Sequence, residues 1–526
     1  MKNWNMTTIS LGQPLRRWEL GLFAVIQVAV MLLAISNESL WIDEFWNAYF
    51  AKVGSLGELY ELLLIPSGSQ TPLHFIYNYF WGLFVHPSEL GLRLSNLPLF
   101  VIGQLALFWA LRAYPKKFGY LLLAVNSLHP MVWQYANEAR PYIMMYAGSE
   151  MILAYILHIN ALKDNGGRVS PLFSAIFVFG SILLFGASLL GVFWVFAACI
   201  YVAYFHYQHL EWRYLTRGGT LVLVAVFLSA TSLLTLYYLN SLLQGGGASR
   251  ISSTTAATLL FDAYELLGLS GFGPGRLELR ETGFAALGPY WIWLIPAAAI
   301  ISATLISGLQ EAKKLLGTRE IIIVGALSLL PLAIVIFSGF AMHWRVLGRH
   351  LIAELPFLNL LFALGLVRLF KKGAGFGWSF RTMIAVAFLL ALIYSSYSLR
   401  FSDRHRKDDY RAAAAIAQQE VSKGKRVWWA ANELGAKYYR LPGEFDYMGE
   451  LTGVPQAYAC IDQPGVQSIR AASKECLEML SPPDVIIFSK PETFDKNGVI
   501  TAYLKSKNFV KFLEFPAFTI WQAPKF

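Results

Sequence analysis

The chain has 526 residues, of which 56% are hydrophobic and only 14% charged, with a mean hydropathy of +0.48; a soluble domain carries roughly 25% charged residues. This excludes a water-soluble fold for most of its length. The net charge of +10 would suggest nucleic acid in a soluble protein, but here it is expected to set topology, because Lys and Arg stay on the cytoplasmic side of a membrane.

A hydrocarbon core of ~30 Å needs about 20 apolar residues in a helix. The first such run, Trp18–Ser36, follows Arg16 and Arg17 and lacks a small-x-small cleavage site, so it reads as a retained span rather than a signal peptide. Further runs follow at Leu92–Ala113, Phe118–Trp133, Pro141–Ile159, Leu172–Leu189, Leu190–Phe205 and Leu221–Leu239, then at Leu287–Leu305, Ile321–Phe340, Leu351–Phe370 and Thr382–Tyr397. The pattern is that of a polytopic α-helical membrane protein with about eleven transmembrane helices.

With the N-terminus inside, every predicted inside loop is basic. They hold Arg112, Lys116 and Lys117; Lys163 and Arg168; Arg213 and Arg217; Lys313, Lys314 and Arg319; and Arg368, Lys371, Lys372 and Arg381. An odd number of spans then leaves the C-terminal region outside. Two outer loops are long, residues 37–91 and 240–286. The first contains an aromatic-rich amphipathic stretch, Leu73–Val85, suited to an interface. The second contains Gly245–Gly247 and Gly271–Gly275, which predict a mobile loop.

From Phe401 the composition changes. Asp408 is placed to cap a helix running to Val421, with Gly424 just past its end. Strand-like runs lie at Arg426–Ala431, Asp484–Ser489 and Phe518–Trp521. The expected organisation is a transmembrane domain over 1–400 and a small extracytoplasmic α/β domain over 401–526. Cys199 reads as a small core residue, while Cys460 and Cys476 are placed to pair if that domain faces an oxidising compartment.

Chemistry-bearing residues gather on the predicted outer side. Asp43 and Glu44 follow the first span directly. Arg93, Arg140, Arg345 and Arg349 lie at or near outer span ends, where positive charge is not accounted for by topology. Ionisable groups at membrane depth face cavities and ligands, and the planar donor fork of arginine matches phosphate. The short second outer loop adds Glu138 and Arg140, with Pro141 suited to the first turn of the next helix. His74, His343 and His350 form no metal-binding spacing, and no metal or cofactor is expected.

These groups suit one reaction class. A sugar carried on polyprenyl phosphate can be presented at an outer leaflet. A carboxylate takes the proton from the attacking acceptor hydroxyl, and arginines stabilise the charge growing on the departing phosphate. One direct displacement inverts the anomeric centre. A polytopic transporter or lipid flippase is the alternative, but that reading calls for midplane charges and repeat symmetry.

The motifs resemble the GT-C glycosyltransferases of the family 39 type, the protein mannosyltransferase and aminoarabinose transferase-like group. Asp43-Glu44 resembles that group's acidic motif in the first outer loop. Thr71-Pro72-Leu73-His74, followed by Glu89-Leu90-Gly91-Leu92-Arg93-Leu94, is similar to its "PPL…E-x-x-x-R-L" pattern, and Glu138-Ala139-Arg140-Pro141-Tyr142 to its "E-A-R-x-Y" stretch. Arg349-His350-Leu351 with Pro356 resembles its late "R-Y-L…P" motif, with His350 in place of Tyr. The resemblance implies Asp43 as catalytic base or acceptor-orienting acid, with Glu44 and Glu138 supporting the acceptor or the fold. It implies contact with the donor phosphate or its surroundings by Arg140 and Arg349; Arg93 and Arg345 join them as phosphate-binding candidates from their place on the outer side, and His74, Tyr142 and His350 are further site candidates. The expected partners are a polyprenyl-phosphate sugar, an envelope glycan, lipid or protein acceptor, and the bilayer of a bacterial inner membrane. Gln70 replaces the Lys that aminoarabinose transferases carry before "PPL".

Overall fold

The computed structural model describes residues 16, 18–65, 71–165, 169–209, 218–244, 253–371, 376–445, 461–470 and 472–524. Each of the eleven predicted apolar runs coincides with helix. They correspond to α1 (Glu19–Ala34), α6 (Asn96–Leu111), α7 (Lys116–Leu128), α9 (Tyr142–Asn165), α10 (Pro171–Ala187), α11 (Gly191–His209), α12 (Gly218–Leu243), α15 (Trp291–Leu316), α16 (Thr318–Ala341), α17 (Leu355–Leu369) and α18 (Phe376–Phe401). Among the described residues, seven helical segments are long and apolar enough to cross a membrane by length and composition, and α1 and α10 are shorter apolar helices. The protein is an integral membrane protein. Its α12 shows why: Leu221, Leu228, Leu233 and Leu236 all lie more than half exposed, which lipid tolerates and water does not.

Short helices fill the gaps between these runs. The first long loop folds into α2 (Ile42–Phe50), α3 (Leu56–Leu64), α4 (Pro72–Gly82) and α5 (Glu89–Leu94). The run predicted over Phe118–Trp133 is broken. Pro130 has no N–H and clashes with a preceding turn, so α7 stops at Leu128 and α8 (Pro130–Ala136) restarts with His129 Nδ1 accepting from the Met131 N–H at 3.2 Å. The second long loop holds α13 (Ala256–Leu266) and α14 (Arg276–Thr282). Its Gly245–Gly247 segment lies outside the described residues. Gly271, expected to confer mobility, instead lets two backbones touch: a Cβ there would sit 2.1 Å from the Ser395 carbonyl oxygen.

Small residues also set the helix packing. The long contact between α15 and α17 passes through Gly308 and Gly365, where added Cβ atoms would meet the carbonyl oxygens of Leu361 at 2.0 Å and Thr304 at 2.1 Å. Close backbone approach of this kind is how helices associate in lipid. Gly365→Val is expected to destabilise the bundle by about 1–3 kcal/mol as an overpacking change, measured as a lower Tm in detergent.

Among the described residues, two of the basic loops meet beside the C-terminal ends of α15 and α17. Lys117 donates to the Phe370 carbonyl at 3.3 Å, and Arg368 and Lys371 pair with Glu311 at 3.7 and 2.5 Å. Arg349 stands at the other end of the same helical stretch, Gly348–Leu369.

The C-terminal region carries α19 (Tyr410–Ser422), α20 (Glu433–Tyr438) and five strands. These are β1 (Val427–Ala430), β2 (Val466–Ser468), β3 (Val485–Ser489), β4 (Val510–Phe515) and β5 (Phe518–Gln522), ordered β2-β1-β3-β5-β4. β1 runs parallel to β2 and β3; β5 is antiparallel to β3 and β4. The runs read as strands become β1, β3 and β5; β2 and β4 are additional, one being too short and the other almost wholly exposed. Asp409, rather than Asp408, caps α19, accepting from the Ala412 N–H at 3.0 Å. Cys476 is buried and disulfide-bonded; Cys460 lies outside the described residues, and Cys199 is a free thiol.

The sheet does not stand apart from the bundle. One apolar cluster combines Leu40, Phe45 and Ala48 with Tyr410, Trp429, Leu434 and Ile487. Phe45 of α2 meets the Tyr410 ring edge-on at 5.1 Å. Thus one face of α2 is clamped by the C-terminal sheet, and its N-terminus, where Asp43 and Glu44 lie, is held in place by that packing.

Candidate active site

The N-terminal turn of α2 carries both acids, in the position where a helix dipole favours negative charge. The two point into different environments. Glu44 is fully buried. Its Oε2 accepts from the Trp41 N–H at 3.3 Å and from Arg93 at 2.8 Å, and it lies 3.3 Å from Lys407 Nζ. Its Oε1 accepts from Arg93 at 3.0 Å and from the Ala139 N–H at 2.7 Å. Burial alone would raise the Glu44 pKa, but Arg93 and Lys407 overcome that and hold it at about 2. Glu44 therefore has no free lone pair for a substrate and belongs to the frame, not to the reacting groups.

Arg93 is corrected in the same way. It is fully buried, and besides Glu44 it donates to the carbonyls of Ser36, Glu38 and Ser39 at 3.1, 2.7 and 3.0 Å. Its guanidinium N–H groups are spent on the loop after α1, and none remains for phosphate. Asn96 completes this frame by donating to the Ala136 and Glu138 carbonyls at 3.1 and 2.7 Å.

Asp43 faces the other way. Its side chain is 28% exposed and accepts from Arg349 Nη1 at 3.2 Å, while its main-chain oxygen accepts from Arg140 Nη1 at 3.1 Å. The Tyr142 ring lies between the two arginines, 6.0 Å from the Arg140 guanidinium and 5.8 Å from that of Arg349, which also lies 5.8 Å from Trp41. The Nε–H groups of both arginines are buried without a partner. Asp43, Arg140, Tyr142 and Arg349, distant in sequence, thus converge with donors unspent.

Arg345 is exposed and makes no ion pair or side-chain hydrogen bond among the described residues. Asp262, Glu265 and Arg280 lie within its electrostatic reach. His350 Nδ1 accepts from the Leu347 N–H at 3.1 Å and so shapes the turn that presents Arg349. His74 is fully buried, with Nε2 2.9 Å from Asn78 Nδ2 and Nδ1 unpartnered. Burial, together with the charge of Arg140, pushes its pKa down to about 3. A neutral imidazole behind Asn47 and the Ala139 carbonyl supports the loop and does not act as an acid at neutral pH.

Two groups here escaped the sequence reading. Arg276, at the start of α14, donates to Glu138 Oε1 at 2.9 Å, to the Tyr135 hydroxyl at 3.1 Å and to Glu265 at 3.2 Å. Lys407, from the start of the C-terminal region, reaches Glu44 and the Asn137 carbonyl. Neither belongs to a motif. Each acts because a distant segment folds over the site.

Comparison with solved structures follows from this geometry. No protein-family model and no curated protein matches the chain. ArnT from Cupriavidus metallidurans bound to undecaprenyl phosphate aligns over 97% of this chain and 100% of its own, at 13% identity and a TM-score of 0.51. The apo form of the same protein aligns over 96% and 99%, at 12% identity and a TM-score of 0.50. The chain has the GT-C glycosyltransferase fold. A looser likeness, to the arabinofuranosyltransferase AftD from Mycobacteria (15% identity, 97% of this chain, 40% of that one, TM-score 0.42), is too weak to weigh. At such identities the likeness establishes architecture, and the GT-C frame leaves the chemistry to be read from the side chains.

One side chain of this GT-C frame supplies a signed pH test. Asp262 is 2% exposed and neither carboxylate oxygen has a hydrogen-bond partner. Burial, reinforced by Glu265, raises its pKa to about 7. The folded state therefore holds a proton that the unfolded state releases near pH 4, and stability falls as pH rises from about 4 to 7. Asp262→Asn is expected to match wild type in Tm near pH 4 and to exceed it at pH 8; no gain at pH 8 would show that Asp262 is charged and solvated.

Proposed function

We propose that this protein is a membrane glycosyltransferase that moves a sugar from polyprenyl phosphate to an envelope acceptor, a glycan, lipid or protein, on the outer side of a bacterial inner membrane. The observation that carries this reading is the segment Gly348–Glu354. At one end Arg349 meets Asp43. At the other, Glu354 accepts from Trp194 Nε1 at 3.0 Å, and both residues line an apolar cavity of about 150 Å³ among α9, α11, α15, α16 and α17. A cationic site joined within two turns to an apolar, membrane-embedded cavity matches a phosphate with a hydrocarbon tail. That ArnT, which has this fold, was solved with undecaprenyl phosphate supports the same donor class here.

In this mechanism the acceptor hydroxyl gives its proton to Asp43 as its oxygen bonds to the anomeric carbon. The bond from that carbon to the phosphate oxygen breaks, and polyprenyl phosphate leaves carrying the electron pair. Arg349 and Arg140 stabilise the growing charge, which is where preorganised donors contribute most. The configuration inverts in one step, and neither metal nor cofactor is invoked. Arg345 is exposed and within electrostatic reach of Arg349, and in this reading it meets the phosphate as it enters. Arg345→Gln should leave stability within about 0.5 kcal/mol of wild type, as an exposed substitution does, while raising the donor KM about tenfold, the equivalent of one charge-assisted hydrogen bond.

The direct test uses liposomes and a panel of polyprenyl-phosphate hexoses and pentoses, with release of polyprenyl phosphate as the readout. Release from one donor, lost in Asp43→Asn, supports the reading and identifies the sugar. Movement of lipid across the bilayer without release from any donor would replace it with a flippase.

A further inference from the structure

A second cavity, of about 110 Å³, adjoins Glu138 where the outer loops of the bundle meet the C-terminal region. Trp41, Trp133 and Glu138 line it from the bundle, Arg400 from the end of α18, and Lys407 and Lys490 from the C-terminal region. Lys490 closes β3, and an open sheet binds ligands at the carboxyl ends of its parallel strands. Its backbone is left-handed, with φ 40° and ψ 76°, a conformation that costs a non-glycine residue energy and that collects at ligand sites. Packing with Asp408, also on the cavity wall, holds it there as a buried ion pair.

The polar atoms of this cavity are not all used. Glu138 is 1% exposed, and its Oε2 has no partner although Arg276 binds its Oε1. Trp41 Nε1 and Arg400 Nε are likewise buried and unpartnered. The residues that line it thus carry a spare acceptor, Glu138 Oε2, and spare donors, Trp41 Nε1 and Arg400 Nε, with Trp41 and Trp133 among the lining side chains. A buried polar group without a partner is costly, so a ligand filling this space gains by satisfying all three. Hydroxyl groups, each both donor and acceptor, meet that demand on one rigid ring whose C–H face packs against indole.

We propose that this cavity is the acceptor subsite, and that the C-terminal domain selects the acceptor by binding a hydroxylated sugar ring between Trp41, Glu138, Arg400 and Lys490. The proposal rests on the glycosyltransferase reading. The donor ring has the same chemistry, but the donor is tied to Arg349 and the apolar cavity beyond it, whereas this space is bordered by Lys407, Asp408 and Lys490 of the C-terminal region and includes neither Arg349 nor Asp43 in its lining.

The test uses the full-length protein in nanodiscs, the donor identified above, and octyl glycosides with neutral, amino and uronic-acid rings as probes. Glycoside binding is followed by saturation-transfer NMR, and transfer by release of polyprenyl phosphate. Lys490→Ala and Arg400→Gln are each expected to weaken binding of the preferred glycoside and raise its KM about tenfold with the donor KM unmoved. Lys490→Arg should recover most of that loss, which a collapsed fold would not. Should Lys490→Ala misfold, Arg400→Gln alone decides the matter. A raised donor KM with unchanged glycoside binding would assign the cavity to the donor sugar and overturn the proposal, as would failure of every glycoside to bind wild type. Glycoside binding without release from any donor would keep the subsite and sink the glycosyltransferase reading.

Discussion

Asp43→Asn is expected to lower polyprenyl phosphate release by about 10²–10⁴-fold, the usual contribution of a positioned general base, with little change in Tm. The substitution keeps the shape of the side chain and an oxygen for the Arg349 contact of 3.2 Å, but it cannot take up a proton. The adjacent acid cannot substitute. Glu44 already meets Arg93, Lys407 and two backbone N–H groups. Glu138 is the one other candidate, since one of its oxygens is unspent. A rate that survives Asp43→Asn and collapses in Glu138→Gln would move the base to Glu138 and reverse the assignment made here.

The second large effect is on stability. Arg93→Met or Glu44→Gln is expected to cost about 3–5 kcal/mol, because either change leaves the other member of a fully buried pair uncompensated. The arginine also ties down three carbonyls of residues 36–39, so its loss should free the loop that leads into α2 and abolish turnover indirectly. A double-mutant cycle separates this from an exposed ion pair, whose coupling stays below about 1 kcal/mol. The pH dependence follows from the depressed Glu44 pKa of about 2. Its contribution is complete above the ordinary carboxylate range near 4.5 and is lost as pH falls toward 2. Wild type should therefore keep its Tm down to about pH 4 and lose it steeply below, while Glu44→Gln, already deprived of the contribution, should show a shallower acid limb. Equal acid limbs would remove Glu44 from the electrostatic frame.

Much of this protein is written in composition and local pattern. Runs of apolar residues near bilayer length fall on helices because lipid cannot satisfy an open backbone, so such a run has one solution. The acidic pair after α1 and the arginines at span ends were visible as charges without an evident topological purpose, and Asp43, Arg140 and Arg349 of that set converge in the fold. The Pro130 break is a local rule that hydropathy averages away.

Pattern could not divide those charges into frame and chemistry. Asp43 and Glu44 are neighbours of the same type at a helix start, and only the tertiary structure turns one toward Arg93 and Lys407 and the other toward Arg349. Arg93 and Arg349 likewise read as equals; one is sealed beneath the loop, the other keeps a donor unspent at the site. Arg276 and Lys407 carried no motif at all, because their roles arise when α14 and the C-terminal region fold over the bundle. The sequence by itself determined that the chain crosses a membrane repeatedly and collects acids and arginines on one side, since hydropathy and charge act residue by residue. Which of those charges remain free for a substrate was decided by packing, because a charged group's role depends on the partners that burial brings within hydrogen-bonding distance.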